Sequence, residues 1–455
     1  MKSELFWEIP ISVDLEGFLK KYPPSFKYKI DHFYYIVDYL VRGMDMEDLD
    51  DNAGFVNLNA KKLQKVNHEY KKYLDHLLQH RFLRTDMIYI VGKKSRGYLI
   101  NRYSDNTKFA FKQIPISDFV IHKKRIREII EQNAVIKATR KKYPYLTKWF
   151  DGLEIDRKRA LEELERILPI KTTGIRGTAK GKASNMAKRY KALMAIDKIK
   201  DKKFFYNIDQ NVGRFHSNLT NLKKELRNYI TYQGQKLVNV DIKNSQPLFS
   251  TLLLNKEFYS RDTLYNISSV PDYNSLLSNI HHSYSSLTIM IVKSLEKSDN
   301  QDIKKYIKIV NSGSFYEQIF KEMYPDLPFD RARAKTMMFM IFFSRNNYMG
   351  QPKAEPKKRF KQLFPRTYEI FRLLKLCDYT ALSRILQRIE SNVIIQNVVP
   401  RITKERPELP IFTIHDSIVT TVGNEQYVAT IIQQEILRIT GLQAKLGIEY
   451  WEHHH

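Results

Sequence analysis

Residues 236–248 read KLVNVDIKNSQPL, a run rich in valine and isoleucine that predicts a strand ending near Asp241. Residues 410–422 read PIFTIHDSIVTTV, which predicts a hairpin whose turn carries His415 and Asp416 between two short strands. A third strand is expected over residues 445–451. Because helical patterns separate these strands, the chain predicts an α+β unit with one aspartate at each of two strand ends.

The two aspartates have the placement that two-metal chemistry requires. Mg²⁺ prefers oxygen ligands and is often held by one or two carboxylates together with substrate phosphates. Two such ions about 3.5–4 Å apart can activate an attacking hydroxyl and hold a leaving phosphate. Taken singly, an aspartate at a strand end such as Asp241 or Asp416 is more often a turn or capping residue.

Residues 331–343, RARAKTMMFMIFF, predict a helix with one chemically distinctive stripe. Arg331, Lys335, Phe339 and Phe343 follow one another at i, i+4 steps and therefore share a face. Two cations followed by two rings suit a nucleoside triphosphate, with the cations on the phosphates and the rings against base and sugar. The alternative is an amphipathic helix with a basic end and a packed aromatic stripe.

The composition favours a polyanionic partner. The 455 residues include 76 Lys+Arg and 50 Asp+Glu, which gives a formal net charge of +26. Clustered cations gain affinity for nucleic acid by releasing its counterions, although general basicity for solubility is an alternative. Hydrophobic residues at 43% and aromatic residues at 12% exclude wholesale disorder.

A single cysteine, Cys377, excludes a disulfide framework and a cysteine-based zinc site. The chain has no apolar run of membrane length, and its first residues, MKSELFWE, lack the apolar core of a signal peptide. We therefore expect a soluble, cytoplasmic protein without a membrane partner.

Residues 1–112 predict a basic N-terminal module. Residues 57–82 have helical periodicity and precede two strand-like runs, 87–91 and 98–103, which are joined by the basic segment GKKSRG at 92–97. This order resembles a winged helix whose hairpin would lie along a phosphate backbone. The alternative is an ordinary hairpin with a solvated basic tip.

Residues 113–210 predict a charged helical region. A glycine-containing break at 171–181, KTTGIRGTAKG, separates two helical stretches. The lysine-rich stretch that follows it is either a solvated face or, with the loop, a grip on a duplex backbone. The terminal residues 453–455 are histidines and look like the start of an expression tag.

Together these segments resemble the template-dependent polymerases of family A, the bacterial polymerase I type, over residues 211–452. VDIKNSQP is similar to the first catalytic motif, residues 331–343 to the fingers-helix motif, and His415-Asp416 to the third motif. GRFHS at 213–217, followed by Asn221-Leu222, resembles the family's GR-x-x-S…NL segment, which contacts the primer–template. LGIEYW at 446–451 resembles the closing strand.

The resemblance implies a right-hand polymerase with palm and fingers over 211–452, a thumb within 113–210 and a two-metal mechanism. In the metal centre, Asp241 and Asp416 would bind two Mg²⁺ ions, or Mn²⁺ in their place, with help from the Ile242 carbonyl. Lys335 would donate a proton to pyrophosphate. The other implied roles are triphosphate binding by Arg331 and Lys335, nucleotide contact by Phe339, Phe343 and Gln246, and primer–template contact by Arg214, Asn221, Gln387 and His415.

Three positions depart from the family pattern. Ser417 replaces the glutamate that usually follows His-Asp, and the resulting His-Asp-Ser motif resembles that of the single-subunit RNA polymerases. Gln246 replaces the sugar-gating glutamate, and Phe343 replaces the usual tyrosine. Because the GR-x-x-S segment is a DNA-polymerase feature, we expect deoxynucleotides to be preferred. Asp14 and Glu16 have the acid-x-acid spacing of an exonuclease motif but lack companion acids, so they are interpreted as surface residues and proofreading is expected to be absent.

The sequence thus predicts a primer-extending DNA polymerase of a phage or another mobile element, acting in DNA replication with unknown partners. One alternative is an RNA polymerase or primase on the same palm. Another, of a different class, is a replication initiator that binds nucleic acid without catalysis.

Overall fold

The computed structural model describes the whole chain except residues 1–3, 47–53, 91–93, 104–108, 170–178, 261–262, 264, 279–282, 298–299 and 453–455. Most of the predicted loop at 171–181, the tip of the basic hairpin at 91–93 and the terminal histidines therefore lie outside the described residues. Within the described residues, helices and strands are mixed, as the sequence predicts.

The strands are β1 (Phe6–Pro10), β2 (Val56–Asn57), β3 (Leu83–Thr85), β4 (Gly97–Ile100), β5 (Phe111–Pro115), β6 (Leu153–Ile155), β7 (Tyr206–Ile208), β8 (Phe215–Ser217), β9 (Ile230–Tyr232), β10 (Gln235–Ile242), β11 (Ile411–Ile414), β12 (Ser417–Thr421) and β13 (Leu446–Tyr450). The α-helices are α1 (Leu15–Lys21), α2 (Ile30–Met46), α3 (Ala60–Gln64), α4 (Tyr70–Gln79), α5 (Phe119–Lys142), α6 (Pro144–Thr147), α7 (Arg157–Ile167), α8 (Ala179–Lys200), α9 (Asn218–Asn221), α10 (Ser245–Ser250), α11 (Tyr273–Leu276), α12 (Tyr284–Leu295), α13 (Gln301–Asn311), α14 (Phe315–Met323), α15 (Arg331–Phe343), α16 (Glu355–Leu363), α17 (Pro365–Leu374), α18 (Ala381–Ser391), α19 (Val399–Glu405) and α20 (Glu425–Thr440). Short 3₁₀ turns occupy Phe150–Gly152, Lys224–Tyr229, Leu252–Leu254, Lys256–Tyr259, Ile267–Ser269, Asn346–Gly350 and Pro352–Ala354, and a π-helix over Asn392–Val398 joins α18 to α19.

Strand β10 is the centre of the main sheet. Its residues 237–240 are buried although successive side chains point to opposite faces, and β12 and β13 pair with its two edges in antiparallel register. At its start, β10 forms a hairpin with β9 through Gln233 and Gly234, which both have positive φ, as a tight two-residue turn requires. The strands predicted at 236–242, 411–419 and 445–451 therefore exist and belong to one sheet.

Helices cover this sheet and build the wall opposite the end of β10 that carries Asp241. Helix α20 packs on β10 and β12, while α15 packs between α14, α16 and α18. Helix α15 begins at Arg331, where the Asp330 side chain accepts hydrogen bonds from two backbone amides, and ends at Phe343. One large hydrophobic cluster, which runs from Leu146 to Trp451, joins the sheet and these helices.

The N-terminal unit has its own hydrophobic cluster. The order α2, β2, α3, α4, β3, β4, with the sheet order β2-β4-β3, resembles that of a winged helix. The helical periodicity at 57–82 corresponds to two helices, α3 and α4. The strand predicted at 87–91 is wrong, because β4 pairs with residues 83–85, upstream of that run.

The predicted boundary at residue 112 is also wrong. Strand β5 crosses it and pairs with β1, at the other end of the N-terminal unit. Helix α8 lies later in the chain, yet its residues Ala183 and Tyr190 belong to the N-terminal cluster while Ile196 and Ile199 belong to the large one.

The region 113–210 is therefore not a separate helical unit. Strand β6 lies within it and pairs with β9 in the main sheet, and β7 pairs with β8. Among the described residues, no helix is long and apolar enough to cross a lipid bilayer.

Candidate active site

A cleft of about 610 Å³ opens between the end of β10, the β11–β12 turn, helix α15 and helix α18. Every residue that the sequence analysis assigned to catalysis or binding lines this cleft except Asn221, which ends α9 outside it: Arg214, Asp241, Ile242, Gln246, Arg331, Lys335, Phe339, Phe343, Gln387, His415 and Asp416. The structure thus brings together residues from distant segments of the chain.

Sheet register places the two aspartates side by side. Asp241 is the register partner of Ser417, so Asp416 lies in the turn directly beside it. The backbone amide of Ile242 lies 3.4 Å from the carbonyl oxygen of Asp416. His415 adopts a positive φ of 56°, and the Ser417 hydroxyl closes the turn by donating to the Ile414 carbonyl at 2.9 Å. Ser417, the first residue of β12, therefore stabilises the turn.

The electrostatics of the pair favour a bound cation. Burial, with a further contribution from Asp416, raises the pKa of Asp241. Burial also raises the pKa of Asp416, against the hydrogen bond from Ser245. Among the described residues, neither carboxylate has a lysine or arginine within salt-bridge distance, although ion pairs are frequent elsewhere in the chain.

The donor set at this pair fits Mg²⁺, because two adjacent oxygen ligands leave positions for water and phosphate. In the described part of the chain, no group of three or more His, Cys, Asp or Glu side chains is placed to hold a metal ion. The remaining ligands of an ion would therefore come from backbone, water or substrate.

Helix α15 presents the predicted stripe to the cleft. Arg331, Lys335 and Phe339 are exposed while the opposite face of the helix is buried, and the rings of Phe339 and Phe343 stack with centroids 5.5 Å apart. Both cations lie over the ring of Tyr316, at 5.6 Å and 5.9 Å. An ion pair with Glu317 at 2.9 Å orients the Arg331 guanidinium.

Glu390 is a site residue that the sequence analysis missed. It lines the cleft but is fully buried. Its carboxylate accepts hydrogen bonds from Arg214 Nε at 3.0 Å and from Gln246 Nε2 at 2.7 Å, and the Ser245 hydroxyl lies 3.3 Å away. Burial and the nearby Asp416 raise the pKa of Glu390 to about 7. The sequence did contain one indication of this buried acid, because Glu390 lies among the apolar positions of the helical segment 381–391.

Two buried polar atoms in the cleft have no hydrogen-bond partner among the described residues: Gln246 Oε1 and His415 Nδ1. Burial, together with nearby Arg214 and His216, lowers the pKa of His415 to about 4, so its imidazole is neutral at pH 7. Because unpaired buried polar atoms are costly, these two atoms indicate positions where a ligand group would complete the hydrogen bonding.

This chain matches no known protein-family profile, and no curated protein sequence matches it. Among solved structures it is similar to the polymerase domain of Pol1 from M. smegmatis, determined in complex with a DNA primer-template and dNTP. The two chains are 10% identical, with a TM-score of 0.32, and the similarity covers 65% of this chain and 56% of the other. The chain thus spans little more than half the length of that domain, and a likeness this remote assigns neither a family nor an activity.

Proposed function

We propose that this chain is a template-dependent nucleotidyltransferase that extends a nucleic-acid primer, with deoxynucleoside triphosphates as the preferred substrates. The observation that carries the proposal is the placement of the Asp241–Asp416 pair opposite the α15 stripe, across one cleft. Carboxylates on one wall and cations with stacked rings on the other are the complement of a metal-bound nucleoside triphosphate. In this proposal, α15 belongs to the fingers and the main sheet to the palm.

Each group has a defined task in the proposed reaction. The primer 3′-hydroxyl attacks the α-phosphorus of the nucleotide and loses its proton to solvent water, the bond between the α-phosphorus and the β-phosphate oxygen breaks, and pyrophosphate leaves. Arg331 and Lys335 hold the triphosphate, and Lys335 Nζ supplies the proton that the leaving pyrophosphate takes up. Phe339 and Phe343 pack against base and sugar.

Asp241 and Asp416, with the Ile242 carbonyl, would hold Mg²⁺, which supplies charge stabilisation at the attacking and leaving oxygens. The remaining contribution of the chain is positioning, because a cleft that aligns primer end and nucleotide removes most of the entropic barrier to their reaction. Arg214, Gln387 and His415 would contact the primer–template end of the cleft.

The decisive experiment is extension of a labelled primer on a DNA template in Mg²⁺. Deoxynucleotides and ribonucleotides are offered in separate reactions, and a further reaction omits the primer. Asp416→Ala is the test variant, and Asp326→Ala, at an exposed aspartate away from the cleft, is its matched control.

Extension with deoxynucleotides that Asp416→Ala abolishes and Asp326→Ala retains is the expected result. Products from ribonucleotides, or without primer, would move the assignment to an RNA polymerase or primase. An absence of product under every condition, with DNA binding retained, would favour a non-catalytic initiator and contradict the proposal.

A further inference from the structure

A second, larger depression lies on the N-terminal unit, which has a hydrophobic cluster distinct from the one beneath the catalytic cleft. This depression, here called the basic groove, has a volume of about 1430 Å³ and runs between residues 119–135 of α5, the second half of α2, strand β2 and helix α3. None of the functions assigned to the catalytic cleft uses it.

The basic groove carries more positive charge than its own acids can neutralise. Six cations line it against two carboxylates, Glu128 and Glu131. Arg42 is paired with Asp38 at 2.7 Å and with Glu128 at 3.3 Å. The cations that are exposed and have no carboxylate within salt-bridge distance among the described residues are Lys62, Lys65, Lys123 and Arg127.

Lys124 lies close to several of the other cations of the basic groove. Its ammonium lies in the groove wall, where it donates to the Tyr35 hydroxyl at 2.6 Å and to the Lys62 carbonyl at 3.3 Å. Burial lowers the pKa of Lys124, and the charges of Arg42, Lys62 and Lys65 lower it further against the attraction of Glu128. A bound anion would reduce the repulsion between like charges that line one concave surface.

The same groove exposes apolar side chains beside its cations. Phe119 is 69% exposed and Val120 is 57% exposed, both in the first turn of α5, and Val135 is exposed further along the same wall. A simple polyanion would make no specific contact with these apolar side chains. Single-stranded nucleic acid would contact both kinds of side chain, because its unpaired bases stack on aromatic rings while its phosphates contact lysine and arginine.

We propose that the basic groove binds single-stranded nucleic acid, with Phe119 as a stacking platform and Lys62, Lys65, Lys123 and Arg127 as phosphate contacts. This site goes beyond the proposed function, since binding here needs neither the two aspartates nor a nucleotide. It would hold an unpaired strand on the N-terminal unit while the cleft acts on a primer end.

The test uses the full chain with Phe119→Trp as a local reporter, since position 119 is exposed enough to accept the larger ring. An oligothymidylate of about 12 nucleotides is titrated without Mg²⁺ or nucleotide. The emission of the wild-type protein, which has three tryptophans elsewhere, is subtracted. We expect saturable quenching of the reporter indole introduced by Phe119→Trp, because a stacked base quenches indole emission.

Matched double variants in the Phe119→Trp background separate the groove from general charge. Lys62→Ala/Lys123→Ala removes two groove lysines, and Lys61→Ala/Lys137→Ala removes two exposed lysines from the same two helices outside the groove. We expect the groove pair to weaken binding roughly tenfold and to reduce the slope of log affinity against log salt by about 1.4. The control pair should change both far less, and all variants should keep the parent's melting temperature.

Three outcomes would overturn the proposal. One is oligonucleotide binding, seen by fluorescence anisotropy, without quenching of the reporter indole. Another is an equal loss of affinity in the groove and control variants. The third is equal affinity for a duplex of the same length or for inorganic polyphosphate, which would show that the groove responds to charge alone. Because no catalysis is measured, failure of the polymerase proposal would leave this result unaffected.

Discussion

Arg214 Nε donates a 3.0 Å hydrogen bond to the carboxylate of Glu390, a residue 176 positions later in the chain. The same carboxylate accepts from Gln246, five residues after Asp241. Glu390 therefore connects three segments of the cleft and fixes the positions of two side chains for which we propose substrate contact. It achieves this at a cost in stability, because a fully buried carboxylate is poorly solvated.

Replacing Glu390 should change how stability depends on pH. Because its pKa rises from 4.5 to about 7 on folding, its contribution to stability is full below pH 4.5 and is lost as pH rises through 7. Glu390→Gln should remove this fall and raise the free energy of unfolding at pH 8 by up to about 3 kcal/mol. Urea unfolding between pH 4.5 and 8 measures it. Glu405→Gln, at an exposed glutamate, is the control, and a parallel pH dependence in wild type and Glu390→Gln would contradict the expectation.

The same variant should lose activity while it gains stability. Without the carboxylate, Arg214 has no charged partner and Gln246 is free to turn, so the primer end and nucleotide are less precisely held. Single-turnover primer extension by Glu390→Gln at pH 8 should be slower by about tenfold or more, a difference of about 1.4 kcal/mol in the activation free energy. Wild-type rates in a folded variant would show that Glu390 is only structural.

Mg²⁺ should stabilise the protein through the aspartate pair. An ion that binds only the folded state raises the free energy of unfolding, by about 2.7 kcal/mol at 100 times its Kd. We expect the melting temperature of the wild type to rise with added Mg²⁺. Asp416→Asn should melt higher than wild type without Mg²⁺, because a buried charge and a repulsion are gone, and should respond little to the ion. An undiminished response to Mg²⁺ in Asp416→Asn, with Asp326→Asn as control, would place the metal elsewhere.

The stacked rings of α15 should act on nucleotide binding. Phe339 is 51% exposed and rests on Phe343 at 5.5 Å, so its removal should cost little stability. Phe339→Ala should raise the KM for the nucleotide by about tenfold, in line with the roughly 1–3 kcal/mol typical of a base–aromatic contact. Steady-state extension kinetics measure the effect, with Leu327→Ala, at an exposed position outside the cleft, as control. An unchanged KM would mean that the stack only packs the helix.

Two buried lysines donate hydrogen bonds to backbone carbonyls at the end of α15. Their effect on the pH dependence of stability should be opposite to that of Glu390. Lys375 donates to the Ile341 carbonyl at 2.9 Å and Lys357 to the Arg345 carbonyl at 2.7 Å. Burial and the neighbouring Lys357 lower the pKa of Lys375 from 10.5 to about 7. The contribution of Lys375 to stability is therefore full above pH 10.5 and is lost as pH falls through about 7.

Stability of the wild type should therefore rise between about pH 7 and 9.5, at up to about 1.4 kcal/mol per pH unit for this proton. Lys375→Met should flatten that rise, while Lys361→Met, at an exposed lysine of α16, should not. Guanidinium unfolding across this range measures it, and an equal slope in Lys375→Met and wild type would show that Lys375 is not the titrating group.

Local patterns in the sequence determined the parts of the site that lie within one element. The alternation of residues 236–242 specified β10, the i, i+4 stripe specified the cleft-facing side of α15, and the short polar interval at His415 and Asp416 specified a turn. In each case the signal is a periodicity or a turn preference, which arises from neighbours a few residues away. The same local logic failed at 87–91, where β4 pairs with residues 83–85 instead.

Only the tertiary structure decided how those elements meet. The register of β10 with β12 put Asp416 beside Asp241, and the packing of α18 buried Glu390 under Arg214. Helix α8, which the sequence analysis placed in a helical region of its own, contributes residues to two hydrophobic clusters. These outcomes depend on contacts between residues far apart in the chain, whose free energies come from the burial and pairing of surfaces that no local window contains. The chemistry of each side chain can therefore be predicted from the sequence, but the tertiary structure determines which side chains lie together.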